Sequence, residues 1–176
     1  ILSALGIRLA GDLTVATNTD EESSGAGGLA LVLRGVEANA GIVTEPTGFD
    51  IWVSCRATSY AEITVPGRPG HAEVHQPHWR EGGAVNAIEK AQVVLDALVR
   101  LREEWAKRSD LRHPRLSMPD VLPTMISAGE WAVTYPASCR ITIAVLCVPQ
   151  QTDEQGWSFA VEREVDEWIA RAAAAD

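Results

Sequence analysis

Between Ala84 and Lys107 the apolar residues Val85, Ile88, Ala91, Leu95, Leu98, Leu101 and Trp105 recur at spacings of three and four. That period puts them on one stripe of a long amphipathic helix, and such a stripe leaves water only against a second apolar surface. The neighbouring segments offer one. Ile51-Trp52-Val53-Ser54 and Tyr60-Ala61-Glu62-Ile63-Thr64-Val65 alternate apolar and polar residues, as half-exposed antiparallel strands do. Further strands are predicted near Val121–Ile126 and Cys139–Val148, with Gly129 and Pro136 in their link. Thr152 and Gln155 make a capping box for a last helix whose core stripe is Trp157, Val161, Val165, Trp168 and Ile169. The order is βαββα, one strand short of a ferredoxin-like βαββαβ sandwich.

The first third of the chain has a different pattern. Ile1 to Leu9 looks like the tail of a helix closed by Gly11, and Leu13 to Thr17 is a short apolar strand. It runs into Thr19-Asp20-Glu21-Glu22-Ser23-Ser24-Gly25, and a helix follows to about Arg34. Gly41 to Thr44 is a second strand ending in Glu45 and stopped by Pro46. Strand, helix, strand over so short a span is a βαβ unit and implies a parallel sheet. Open α/β sheets place their chemistry at such carboxyl ends of strands. Adjacent carboxylates repel unless a cation lies between them. A divalent metal would hold one as a ligand and leave the next free to handle a proton. The plainer reading is a solvated acidic turn capping a helix, and these residues alone leave both open.

Net charge narrows the partners. At −9 the chain lacks the basic face that nucleic acid demands. Charged residues interrupt every apolar run well short of a membrane span. Cys55, Cys139 and Cys147 have no metal-type spacing and are odd in number, which predicts reduced core thiols and a cytoplasmic setting. No signal peptide is visible, although Ile1 is not a natural start.

Four motifs in order carry a resemblance: Asp20-Glu21-Glu22, Glu45-Pro46-Thr47-Gly48, Gly67-Arg68-Pro69-Gly70-His71 and Gly83-Ala84-Val85-Asn86-Ala87-Ile88. From about Gly11 to about Trp168 the chain resembles the dinuclear-zinc amidohydrolase family of acetylornithine deacetylase, succinyl-diaminopimelate desuccinylase, aminoacylase and the glutamate-releasing carboxypeptidases. The resemblance implies part of a parallel-sheet catalytic domain over residues 1–53 and a ferredoxin-like α+β lid and dimerisation domain over 54–176. It implies metal-dependent hydrolysis of an amide bond in an N-acyl amino acid or small peptide by a homodimer using two divalent ions, zinc first, cobalt or manganese otherwise. Glu21 would be the general base that deprotonates the metal-bridging water, and Glu22 and Glu45 would each ligate one metal. His71 would reach into the partner subunit's site to stabilise the oxyanion. Asn86 would settle the start of the long helix, and Trp79 and Arg80 would shape a pocket or pack over the lid. Pro69 and Pro77 oppose a helical cluster of His71, His75 and His78, which predicts polar loop histidines.

The departures matter equally. The family also needs a His-x-Asp segment and a late histidine, and neither is present; His113 has no matching context. Two carboxylates alone bind zinc weakly, so these residues by themselves are expected to be inactive. Val133 stands where the family often has Asn before Pro136, and Ala144-Val145-Leu146 where it often has Asp-x-Arg. The missing Arg would clamp a substrate carboxylate. A non-catalytic α+β module for dimerisation or small-molecule binding, with vestigial acidic motifs, is the alternative.

Overall fold

The computed structural model describes residues 1–175. The chain divides into two compact units, Ile1–Asp50 and Ile51–Asp176.

The second unit is built on an antiparallel sheet of β1 (Ala57–Pro66), β2 (Asp120–Ala128) and β3 (Ser138–Cys147) in the order β1-β3-β2. Both outer strands run antiparallel to β3 and therefore parallel to each other. The helix α2 (Ala87–Lys107) crosses between them, giving a split βαβ, and α3 (Phe159–Ala175) follows β3. The order βαββα predicted from periodicity is the order found. On β3 the alternate residues Cys139, Ile141, Ile143, Val145 and Cys147 are all buried, joined in one core by Leu98, Leu101 and Trp105 of α2 and Val161 and Val165 of α3. One sheet face is thus covered by two helices, the arrangement that lets each amphipathic element hide its apolar side.

The buried line of α2 is Ala87, Ala91, Val94, Leu98, Leu101 and Trp105, rotated slightly from the predicted stripe, and Ile88 is 44% exposed. Small residues explain the rotation: Ala87, Ala91 and Ala97 bring the helix close to its neighbours, whereas hydropathy spacing weights the larger side chains. Asn86 does settle the helix start, accepting from Ile88 N at 3.0 Å while its amide donates to Glu89 at 3.1 Å. Pro123 has no N–H to give, and it lies on the edge strand β2 beside a bulge between Pro123 and Met125. There the Thr124 hydroxyl donates to Thr142 O at 3.2 Å.

The start of α3 differs from expectation. Thr152 closes a 3-10 turn over Pro149–Gln151 and does not cap α3. Asp153 turns the chain by accepting from Gln155 N and Trp157 N, and Ser158 meets the first turn through its hydroxyl bond to Glu162 at 3.1 Å. Trp157, predicted as core, is exposed and stacks on Phe159. It precedes the helix, so the stripe's phase does not reach it. Trp168 and Ile169 pack against the core as predicted. Ile51 to Ser54 carries no strand; β1 begins later, at Ala57.

The first unit contains a 3-10 turn at Ser3–Leu5 and the helix α1 (Ala26–Leu33). The predicted long helix tail before Gly11 is reduced to that turn, which ends at Gly6 in the left-handed region. The predicted strands Leu13–Thr17 and Gly41–Thr44 are not strands, and Leu13, Val15, Ile42 and Val43 are exposed. The reason is physical: a strand exists through hydrogen bonds to a neighbour, and no strand lies among residues 1–50 to provide them. The parallel sheet expected from the βαβ pattern is therefore absent from the described residues.

Candidate functional site

The acidic stretch forms a compact turn ahead of α1. Asp20 adopts φ 61°, a left-handed conformation that Asp tolerates because its short side chain bonds locally. Its carboxylate accepts from the hydroxyls of Ser23 and Ser24, and its carbonyl accepts from Gly25 N at 2.8 Å. The Ser23 hydroxyl, and then that of Ser24, hold the Asp20 carboxyl below the usual carboxylate range. Ser24 also receives the Ala26 N–H, so the turn caps α1. Gly27 is required here: a Cβ on it would lie 2.1 Å from Thr19 O. Asp20 is thus committed to the turn, which leaves Glu21 and Glu22 projecting from it, both exposed. Glu45 is also exposed, at the carbonyl that accepts from Thr47 N. Among the described residues no group of three His, Cys, Asp or Glu side chains could hold a metal ion. Zinc takes about three or four protein donors, so Glu22 and Glu45 do not by themselves fit one.

His71 lies in the second unit, in a loop held on both sides. On one side Gly67 N donates to Ala137 O, Tyr135 N to Gly70 O, and Ala72 N to Val133 O, each at 2.8 Å. His71 and Thr134 thereby pair as an isolated antiparallel bridge. On the other side Arg68 and Val85 exchange both backbone bonds at 2.9 Å. The Arg68 guanidinium donates to the carbonyls of Trp79 and Gly83, at 2.8 Å each. The glycines make this closeness possible. A Cβ on Gly67 would meet Pro136 O at 2.4 Å, and one on Gly83 would meet Pro77 O at 1.8 Å. Gln76 completes the clamp by donating to His71 O at 3.1 Å.

The imidazole itself is exposed. Its Nδ1 accepts from Glu73 N at 3.3 Å, which leaves Nε2 as the nitrogen able to donate outward. The indole of Trp131 meets it in a T-shaped contact, with ring centroids 6.2 Å apart and planes at 76°. Periodicity assigns Trp131 no place, and its only sequence signal is a large aromatic just after Gly129 in a strand link. His78 Nδ1 accepts from Arg80 N at the start of a 3-10 turn, Trp79–Glu81, and Arg80 lies over the Trp79 ring at 4.9 Å. As predicted, the histidines occupy non-helical loop positions or turn starts.

Residues 54–174 match the description of the peptidase dimerisation domain of the M20 group. The chain belongs to that family. Two curated relatives extend the likeness beyond the dimerisation domain. The N-formyl-4-amino-5-aminomethyl-2-methylpyrimidine deformylase of Bacillus subtilis (strain 168) is 24% identical over all of this chain and 41% of its own length. The protein of the same name from Halalkalibacterium halodurans is 24% identical over 99% of this chain and 40% of its own length. The chain therefore spans about two fifths of the curated relatives it matches. Among solved structures, a hydantoinase/carbamoylase family amidase from Burkholderia ambifaria is similar in fold, with a TM-score of 0.50 and 19% identity over 69% of this chain and 25% of that one. In this peptidase dimerisation domain the loop of His71 is pinned to the link between β2 and β3 and to the residues just before α2. Among the described residues no helix is long and apolar enough to cross a membrane.

Proposed function

We propose that this chain is the lid and dimerisation domain, residues 54–176, joined to part of the catalytic domain, residues 1–53, of a metal-dependent hydrolase that cleaves an amide bond. The observation that carries the reading is the match of residues 54–174 to a peptidase dimerisation domain, supported by likeness to deformylases along the rest. The substrate class is an N-acyl amino acid or small peptide. The related deformylases are named for an N-formyl amine, which keeps a wider N-acyl amine within range.

Glu22 and Glu45 are proposed as two ligands of a pair of divalent ions, zinc first, with further donors supplied from outside the described residues. Such ions would polarise the amide carbonyl. Glu21 is proposed as the general base: it takes a proton from the attacking water and delivers it to the nitrogen as the C–N bond breaks. Its place on a turn beside a metal ligand, without being one, suits a proton shuttle. His71, with Nδ1 accepting from Glu73 N, is proposed to donate through Nε2 to the developing oxyanion in the partner subunit's site. One such donor is worth about 10²–10³ in rate.

The test is hydrolysis of a panel of N-acyl amino acids and N-formyl amines by the longest natural form of the protein with zinc or cobalt added. Loss of turnover in Glu21→Ala with metal content retained supports the base assignment, and unchanged turnover refutes it. A strictly monomeric protein by light scattering would remove the role of His71 in a partner's site. A protein that dimerises but hydrolyses none of the panel would instead support the non-catalytic module.

A further inference from the structure

We infer that Trp131 is a specificity-determining residue that accompanies His71 and offers a stacking face to a planar group on the substrate. This rests on the proposed hydrolase reading, in which His71 touches the reacting amide.

The two segments that carry the pair are held together by backbone hydrogen bonds. Ala72 N donates to Val133 O and Tyr135 N to Gly70 O, both at 2.8 Å, and Thr134 N closes a turn onto Trp131 O at 3.1 Å. The edge-to-face geometry at 76° leaves at least one face of the indole uncovered, and the residue is 67% exposed. The core does not use it. Of the other indoles in this unit, Trp105 is fully buried, Trp168 packs on the core beneath Arg171, Trp79 lies beneath Arg80 and Trp157 stacks on Phe159. Trp52 is as exposed as Trp131 but, among the described residues, has no histidine ring beside it.

A large aromatic left in water beside a histidine that points a free nitrogen outward is suited to a ligand with two parts. The imidazole would meet the polar amide, and the indole would meet a flat conjugated group a bond or two away. Chemistry favours such a group because aromatic rings gain from offset stacking beyond the area they bury, while a saturated ring of equal size gains only the burial. The class is therefore an N-acyl amine or amino acid bearing an aryl or heteroaryl ring.

The experiment uses the matched amides N-formylbenzylamine and N-formylcyclohexylmethylamine, with binding followed by calorimetry and hydrolysis followed in parallel on the longest natural form of the protein. The benzyl amide is expected to bind roughly 3- to 10-fold more tightly. Trp131→Ala should abolish that preference, mainly through KM and not kcat, and Trp131→Phe should restore most of it. A preference unchanged in Trp131→Ala, with hydrolysis intact, overturns the assignment of Trp131 and leaves the hydrolase reading standing. Absence of both binding and hydrolysis for either amide overturns both.

Discussion

The indole N–H of Trp105 donates to Glu164 Oε1 at 3.1 Å, joining the last turn of α2 to α3. Trp105 is fully buried, so its N–H has no water to fall back on. Glu164 is half-buried and also accepts from the Arg108 guanidinium at 3.3 Å, which in turn holds Asp110 at 2.7 Å. The Asp110 bond raises the Arg108 pKa and lowers that of Asp110, so both stay charged across the ordinary pH range. Removing the acceptor leaves a buried donor unpaired. Glu164→Ala is expected to destabilise the domain by about 1–3 kcal/mol, and Glu164→Gln, which keeps an acceptor oxygen, by clearly less. Urea unfolding midpoints measure both, and equal stability of Glu164→Ala and the parent would contradict the bond.

The clamp around His71 depends on two places where no Cβ fits. Gly83→Ala would set a methyl 1.8 Å from Pro77 O, and Gly67→Ala one 2.4 Å from Pro136 O. Backbone on the far side cannot step aside as a side chain tip can, so each substitution is expected to cost about 1–3 kcal/mol. Amide hydrogen exchange should rise in residues 67–72 and 133–137 together, because the same bonds hold both. Faster exchange confined to one segment would show that they are not coupled.

Asn86 closes the first turn of α2 through its bond from Ile88 N at 3.0 Å. Asn86→Ala should lower stability by about 1 kcal/mol. Asn86→Asp keeps the acceptor for Ile88 N but loses the bond to Glu89 and opposes it with a second carboxylate, so it should fall between Asn86→Ala and the parent at neutral pH. Thermal unfolding of the three proteins decides it.

The cysteines differ in reactivity for a structural reason. Burial pushes the thiols of Cys139 and Cys147 up, and the charge of Glu162 adds to the effect at Cys147, whereas Cys55 is exposed. A thiol-specific reagent should therefore label Cys55 rapidly in the native protein and the other two only on unfolding. The pH dependence follows from the same shift. Above about pH 8.5 the unfolded chain releases thiol protons that the folded chain keeps, so the unfolded state is favoured progressively. This contribution is intact below that value and is lost as pH rises toward the raised native pKa. Cys147→Ala should flatten the alkaline side of the stability curve, and an unchanged slope between about pH 8 and 10 would count against the burial effect.

Much of the second unit was legible along the chain because its signals are local. A period of three and four from Ala91 to Trp105 announces a helix packed on one side, and the alternation in β1 and β3 announces half-covered strands. Phase errors arose where local signals stop short. Ile88 faces water because alanines set the approach of α2, and Trp157 is exposed because it precedes the helix whose stripe it was assigned to. The acidic motifs were legible as motifs, and Asp20 shows that one carboxylate serves the turn, but what Glu21, Glu22 and Glu45 do depends on groups the turn itself does not contain.

By itself the sequence determined the helices α2 and α3, the order βαββα, the capping by Asn86 and the non-helical loop that carries His71, since each follows from residues within a turn or two of one another. Only the tertiary structure decided that Leu13–Thr17 and Gly41–Thr44 are not strands among these residues, that Trp105 meets Glu164, and that Trp131 stands beside His71. Those outcomes depend on partners far apart in the chain, and the free energy that selects them comes from hydrogen bonds and burial formed only when distant segments meet.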